Sequence, residues 1–226
     1  MQKSKIWFLE NFSMFQMLSP KEMQEMDGHT VMHEVPEKQV IYLSDDEANH
    51  VYILKKGKVK ISRLSDNGKE VILGILGPGE VFGELSLIDQ GRRDEIAIVT
   101  ENALVCKIRT DHFEKMMQQN MALNFQVTKF IGLRLKKIQN RLGNIIFKTS
   151  EQRIRSFIRE IAYDFGRKIS GENSQWEIKI RLTHQEVGKL TAASRQTVTT
   201  VFNDLEKNNI ISYSRNRILV KDIEKL

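Results

Sequence analysis

The chain has 226 residues with 40% hydrophobic and 28% charged side chains, which suits one or two globular domains and excludes a disordered or fibrous protein. No run of ~18 apolar residues occurs, so no bilayer span is expected. The net charge of +6 is unevenly spread: residues 1–120 carry 15 basic and 19 acidic side chains, 121–147 carry 5 and none, and 148–226 carry 15 and 10. An acidic front and a basic back direct the rear of the chain toward a polyanion.

The opening stretch is too poor in apolar residues for a signal peptide, and the lone Cys106 supports neither an internal disulfide nor a cysteine-rich cluster. Both predict a cytoplasmic setting. Phe8, Phe12 and Phe15, then Met23 and Met26, mark the apolar faces of two short helices. Ser19-Pro20-Lys21-Glu22 predicts the start of the second, with a capping box.

From about His33 to Arg109 the pattern becomes β-rich. Runs at 39–43, 51–54, 58–61, 70–73, 95–99 and 103–108 are punctuated by Lys56-Gly57, Asp66-Asn67-Gly68 and Gly77-Pro78-Gly79. Asn67-Gly68 reads as a tight hairpin. Short strands at this spacing predict a closed antiparallel β-roll or jelly roll.

One long helix follows. Ile131, Leu135, Ile138, Leu142 and Ile145 step by four and three residues, with Lys129, Arg134, Lys136, Lys137 and Arg141 off that seam. This pattern fits a two-stranded coiled coil between two copies of the chain; the alternative is packing on the chain's own roll. Ser150 reads as the cap of the next helix, whose face is Ile154, Phe157, Ile158, Ile161, Ala162 and Phe165. After a polar loop from Lys168 to Gln175, residues 176–182 alternate as a strand.

Thr183-His184-Gln185-Glu186 forms another capping box, opening a helix to about Leu190. Thr191-Ala192-Ala193 is a tight connection, Ser194 caps a helix to about Asn208, and Gly188 permits close approach. This is a helix-turn-helix. In its second helix Val198, Val201, Phe202 and Leu205 form the inner face, while Arg195, Gln196, Thr199, Thr200 and Asn203 form an outer arc free of acids. Those residue types match base edges: Arg to guanine, Gln or Asn to adenine, the Thr methyl to thymine. Two strands around Ser214-Arg215-Asn216-Arg217 complete a wing with two arginines for phosphates.

The chain resembles the cyclic-AMP receptor protein/FNR family of bacterial transcription regulators. The resemblance rests on Gly57-Lys58-Val59, residues 77–87 (GPGEVFGELSL), Thr183-His184-Gln185-Glu186-Val187-Gly188 and Ser194-Arg195-Gln196-Thr197-Val198, with the heptad helix between them. It implies an α+β architecture: a cyclic-nucleotide-binding-like β-roll (1–120), a dimerisation helix (121–147) and a winged helix-turn-helix (148–226). It implies a homodimer on a pseudo-palindromic operator, with Thr183, His184, Ser194, Arg195, Gln196, Thr199, Thr200, Asn203, Arg215 and Arg217 at the DNA and Arg195 the principal base reader. Double-stranded DNA and RNA polymerase are the expected partners, beside an unidentified effector; no membrane partner, metal or cofactor is expected.

The effector pocket implied by the resemblance comprises Gly83, Glu84, Leu85, Arg92, Arg93, Asp94, Glu95, Arg134, Ile138 and Gln139. In cyclic-AMP-binding members an Arg-Ser pair holds the phosphate where Asp94 and Glu95 stand here, and a Thr-Ser pair meets the adenine where Ile138 and Gln139 stand. Two carboxylates would repel a phosphodiester, so cyclic AMP is not expected as the effector, although a one-residue slip would put Arg93 in the arginine's place. Haem would need an axial ligand such as His29, His33, His50, His112 or His184, and an iron–sulfur centre a cysteine cluster. Alternatives are a cyclic-nucleotide- or haem-responsive regulator of this architecture, or a regulatory module without DNA. An enzyme is not expected: no zinc-protease motif, nucleophile elbow or phosphate loop is present.

Overall fold

The computed structural model describes residues 18–89, 91–169, 175–214 and 216–226; Phe8, Phe12, Phe15 and Arg215 fall outside them. The chain divides into two compact units, one of residues 1–69 and 73–136, the other of 70–72 and 137–226. Among the described residues no helix is long and apolar enough to cross a membrane.

The first unit opens with α1 (Pro20–His29), where the Ser19–Glu22 capping box forms as expected. Its sheet comprises β1 (Thr30–Val35), β2 (Val40–Tyr42), β3 (His50–Leu64), β4 (Glu70–Leu76), β5 (Val81–Phe82) and β6 (Ile96–Arg109), in the order β1-β6-β3-β4 with β2 on β6 and β5 on β3. The pairs described within it are antiparallel.

Two expected turns are absent. The runs on either side of Lys56-Gly57 form the single strand β3, and the last two runs form β6. Gly57 sits at a bulge instead, with φ +84, and a side chain there would lie 2.3 Å from the Asn102 carbonyl. A bulge bends two long paired strands without breaking either.

Alternation along β3 sends side chains to opposite faces. Val51 and Ile53 pack with Val81, Cys106 and Ile108 against Met23 and Met26 of α1, Phe113 and Met116 of α2 (Thr110–Gln119), and Leu123 and Val127 at the start of α3 (Met121–Phe147). Tyr52 and Leu54 face the roll interior with Tyr42, Val59, Leu76, Phe82, Val99 and Val105.

The second unit holds the end of α3, then α4 (Ser150–Phe165), β7 (Gly166–Lys168), β8 (Trp176–Ile178), α5 (His184–Thr191), α6 (Arg195–Lys207), β9 (Ile211–Ser214) and β10 (Arg217–Val220). The strands pair antiparallel in the order β7-β8-β10-β9. Thr149, not Ser150, caps α4, because Gln152 completes a capping box with Thr149. The strand expected over 176–182 stops at Ile178, which pairs with Ile218 of β10, although Ile180 and Leu182 stay buried.

Candidate DNA-reading helix and sensor pocket

α5 and α6 form the helix-turn-helix. Thr183 caps α5, receiving the Glu186 amide, and Ser194 caps α6, receiving the Thr197 amide at 3.0 Å. Between them Ala192 adopts the left-handed region with φ 51. The turn is tight: a side chain at Gly188 would lie 2.6 Å from the Ala193 carbonyl.

Val198, Val201, Phe202 and Leu205 of α6 are buried, while Arg195, Gln196, Thr200 and Asn203 are exposed on the other side. Thr199 differs from these four. It is half-buried, its hydroxyl donates to the Arg195 carbonyl at 3.0 Å, and it lies 2.9 Å from Nδ1 of His184. With the hydroxyl proton on that carbonyl, the imidazole supplies the proton at Nδ1. The His184 ring packs beside Phe202 and Tyr213, with centroids 5.0 and 5.2 Å away. Burial, then the Arg195 charge, hold its pKa below the ordinary value. His184 and Thr199, both expected at the DNA, are therefore bonded to each other.

Arg217 opens β10 opposite Ser214 and its Nε donates to Glu177 at 2.8 Å. The wing is present, but this arginine has a carboxylate partner rather than standing free. Tyr213, not anticipated from the sequence, ties the wing to the chain entering α5 by donating to the Leu182 carbonyl at 2.9 Å.

In the first unit Gly83 and Glu84 lie at the end of β5. Glu84 is buried and accepts from Nη1 of Arg134 at 2.6 Å, while Nη2 of Arg134 donates to the Val81 carbonyl at 2.7 Å. Arg93 is also buried. Its guanidinium lies 4.0 Å from the Tyr42 ring centre and donates to the His50 carbonyl at 2.6 Å. A side chain at Gly83 would meet its Nη1 at 2.8 Å, so Arg93 sits beside the Gly83-Glu84 turn. Glu95 accepts from the Tyr42 hydroxyl at 2.5 Å; burial first, and then the Glu84 charge, push its pKa up.

The placement of Asp94 corrects the expectation of paired carboxylates in the pocket. It is exposed and pairs with Arg63 at 3.4 Å. Successive residues of an extended segment face opposite ways, so Arg93 inside places Asp94 outside. Arg92 is exposed and donates to the Asp45 carbonyl at 2.8 Å, and Leu85 is 49% exposed. Ile138 and Gln139 belong to the second unit. Tyr42, Tyr52 and Phe82, aromatic neighbours of this cluster, were not singled out by sequence because they read as ordinary strand residues.

Along α3, Leu135, Ile138, Leu142 and Ile145 are 54%, 44%, 59% and 48% exposed. Ile131 alone of the seam packs against the roll core.

The cyclic nucleotide-binding domain matches residues 32–120, and the Crp-like helix-turn-helix domain matches 152–226. Over 218 residues the chain is 26% identical to the CRP-like cAMP-activated global transcriptional regulator of Mycobacterium tuberculosis, covering 96% of each. Over 193 residues it is 28% identical to the cAMP-activated global transcriptional regulator CRP of Haemophilus influenzae, covering 85% of this chain and 84% of that one. The structure of FixK2 from Bradyrhizobium japonicum is similar with a TM-score of 0.75 at 17% identity, over 87% of this chain and 94% of that one. A CooA mutant from Carboxydothermus hydrogenoformans is similar with a TM-score of 0.72 at 22% identity, over 88% and 86%. The two solved structures share the α+β fold, and the curated relatives are transcription regulators rather than enzymes. The β-roll, the helix-turn-helix and these relatives together place the chain in the cyclic-AMP receptor protein/FNR family of DNA-binding transcription regulators.

Proposed function

We propose that the protein acts in the cytoplasm as a homodimer that reads a pseudo-palindromic operator and regulates transcription by RNA polymerase. In this reading residues 1–120 are the sensor, 121–147 the dimerisation helix and 148–226 the DNA-binding domain. The observation that carries it is the outer face of α6 toward its N-terminus: Arg195, Gln196, Thr200 and Asn203 are exposed, none of the four is acidic, and they are backed by a fully apolar inner face. Arg195 follows the cap, at the helix end that such motifs present to the major groove, and pairs with a guanine in each half-site. Ser194 and Thr183 cap the two helices; Arg215 and Arg217 serve phosphates, Arg217 by leaving or sharing Glu177. The exposed seam from Leu135 to Ile145 supports a second copy of the chain as its cover, since four aliphatic side chains in heptad register suit a parallel helix pair.

The effector, in this reading, is not cyclic AMP. Glu95 stays in the pocket, bonded to Tyr42, where it would repel a phosphodiester; Glu84 is bonded to Arg134 through one oxygen only, and its Oε2 has no partner among the described residues. Arg93 remains as a buried cation without a carboxylate bond among the described residues, and suits an anionic group of different shape.

Footprinting of the purified protein on genomic fragments tests the reading. Protected segments should show two-fold symmetry, with half-sites about one helical turn, 10–10.5 base pairs, apart. Uniform protection without sequence preference would contradict it.

A further inference from the structure

Four oxygen atoms converge on Arg153 in the first turn of α4. Its Nε donates to the Thr191 carbonyl at 2.6 Å and its Nη2 to the Ala192 carbonyl at 2.7 Å. Nη1 donates to the Lys148 carbonyl at 2.8 Å, and Nη2 also reaches the Ser150 hydroxyl at 3.1 Å. No carboxylate among the described residues pairs with it, so its charge rests on three backbone carbonyls and one hydroxyl.

The places of those carbonyls matter more than their number. Thr191 and Ala192 end α5 and make the turn into α6; carbonyls at a helix end lack partners within the helix. Lys148 lies one residue beyond the last residue of α3. One planar guanidinium therefore bonds both the end of the long helix and the turn that aims the DNA-reading helix. A fixed fork of donors holds several acceptors in one geometry, which a flexible ammonium cannot do. The same end of α3 is tied along α4 by Lys137–Asp164 at 2.7 Å, Arg141–Glu160 at 2.8 Å and Lys148–Ser156 at 2.8 Å. Those contacts hold helix to helix; Arg153 alone of this set reaches the turn.

We infer that Arg153 is a positioning residue for operator recognition, which clamps the helix-turn-helix turn to the end of the dimerisation helix and so fixes the distance between the two reading helices of the dimer. The inference rests on the dimeric operator-reading function proposed above. It touches no base itself; its effect passes through the orientation of α6.

The test is binding of the full-length protein to duplexes carrying two half-sites at the best spacing, and with one or two base pairs added or removed. The wild type should prefer one spacing sharply. Arg153→Gln should lose about tenfold in affinity at that spacing, the scale of one charge-assisted hydrogen bond, and its preference among spacings should flatten. Its base preference within each half-site and its dimeric mass should not change. A purely structural role would lower the melting temperature and leave the ratio between spacings intact, and that result would overturn the inference. If Arg153→Gln does not fold, Arg153→Lys is read in the same way, because one ammonium nitrogen cannot span the Lys148, Thr191 and Ala192 carbonyls together. A folded wild type that is indifferent to spacing would instead overturn the dimeric reading, and this inference with it.

Discussion

Replacing Ile138 and Leu142 by Asp tests the proposed dimer helix with little risk to the fold. Both side chains are already about half exposed in the single chain, at 44% and 59%, so the substitution removes little of the core. Complete burial of such a side chain contributes about 1.5–3 kcal/mol, and a dimer would bury only the exposed half of it, roughly 1 kcal/mol each. Four side chains across the two-fold axis then supply about 4 kcal/mol. The aspartates add a cost on top, because an unpaired buried charge destabilises by about 3–5 kcal/mol. At 1.4 kcal/mol per decade, the dimer dissociation constant should rise by more than about a thousandfold. Sedimentation velocity at micromolar protein should therefore show a monomer with unchanged helix content. An unchanged dimer mass would refute the assignment of this seam to the interface.

Titration calorimetry with cyclic AMP should show no saturable binding at micromolar concentrations; tight binding accompanied by raised DNA affinity would contradict this reading of the pocket. Gly188→Ala would set a methyl group 2.6 Å from the Ala193 carbonyl, and over-packing of this kind should destabilise by about 1–3 kcal/mol in urea unfolding; an unchanged midpoint would show that the turn yields. His50 has its pKa lowered from 6.5 to about 4, chiefly by burial and then by Lys107, Arg109 and Arg93. The unfolded chain thus takes up this proton first, so the His50 contribution to stability is complete above pH 6.5 and is lost as pH falls toward 4. His50→Gln should flatten unfolding midpoints across that window, and an unaltered pH profile would count against it.

Local chemistry that acts within a few residues was readable in the chain itself. The capping boxes at Ser19 and Thr183, the Ser194 cap and the inner face of α6 all follow from spacing, and all are present. The Thr149 cap obeys the same rule, but the neighbouring Ser150 is equally good by residue type and only Gln152 decides between them. Gly57 looked like a turn because a bulge and a turn both need a left-handed residue; which one forms depends on Glu101 and Asn102, more than forty residues away. The pocket was harder for a related reason. Whether Arg93 or Asp94 turns inward is a matter of register, and one residue reverses every side chain. Arg153 left no mark in the sequence, since its acceptors are backbone carbonyls and the two in the turn lie 38 and 39 residues along the chain. The Glu177 partner of Arg217 also escapes a local reading, because it stands on the neighbouring strand β8.

In the function proposed above, α6 reads sequence through Arg195. Binding-site selection from random duplex DNA, carried out at one fixed salt concentration on the wild type and on Arg195→Ala, tests it most directly. The wild type should enrich an inverted repeat with one dominant guanine in each half-site. The variant should lose about 1–3 kcal/mol per half-site and relax its preference at that guanine alone, keeping the neighbouring bases read by Gln196 and Thr200. An unchanged base preference with uniformly weaker binding would make Arg195 a phosphate contact and contradict the account.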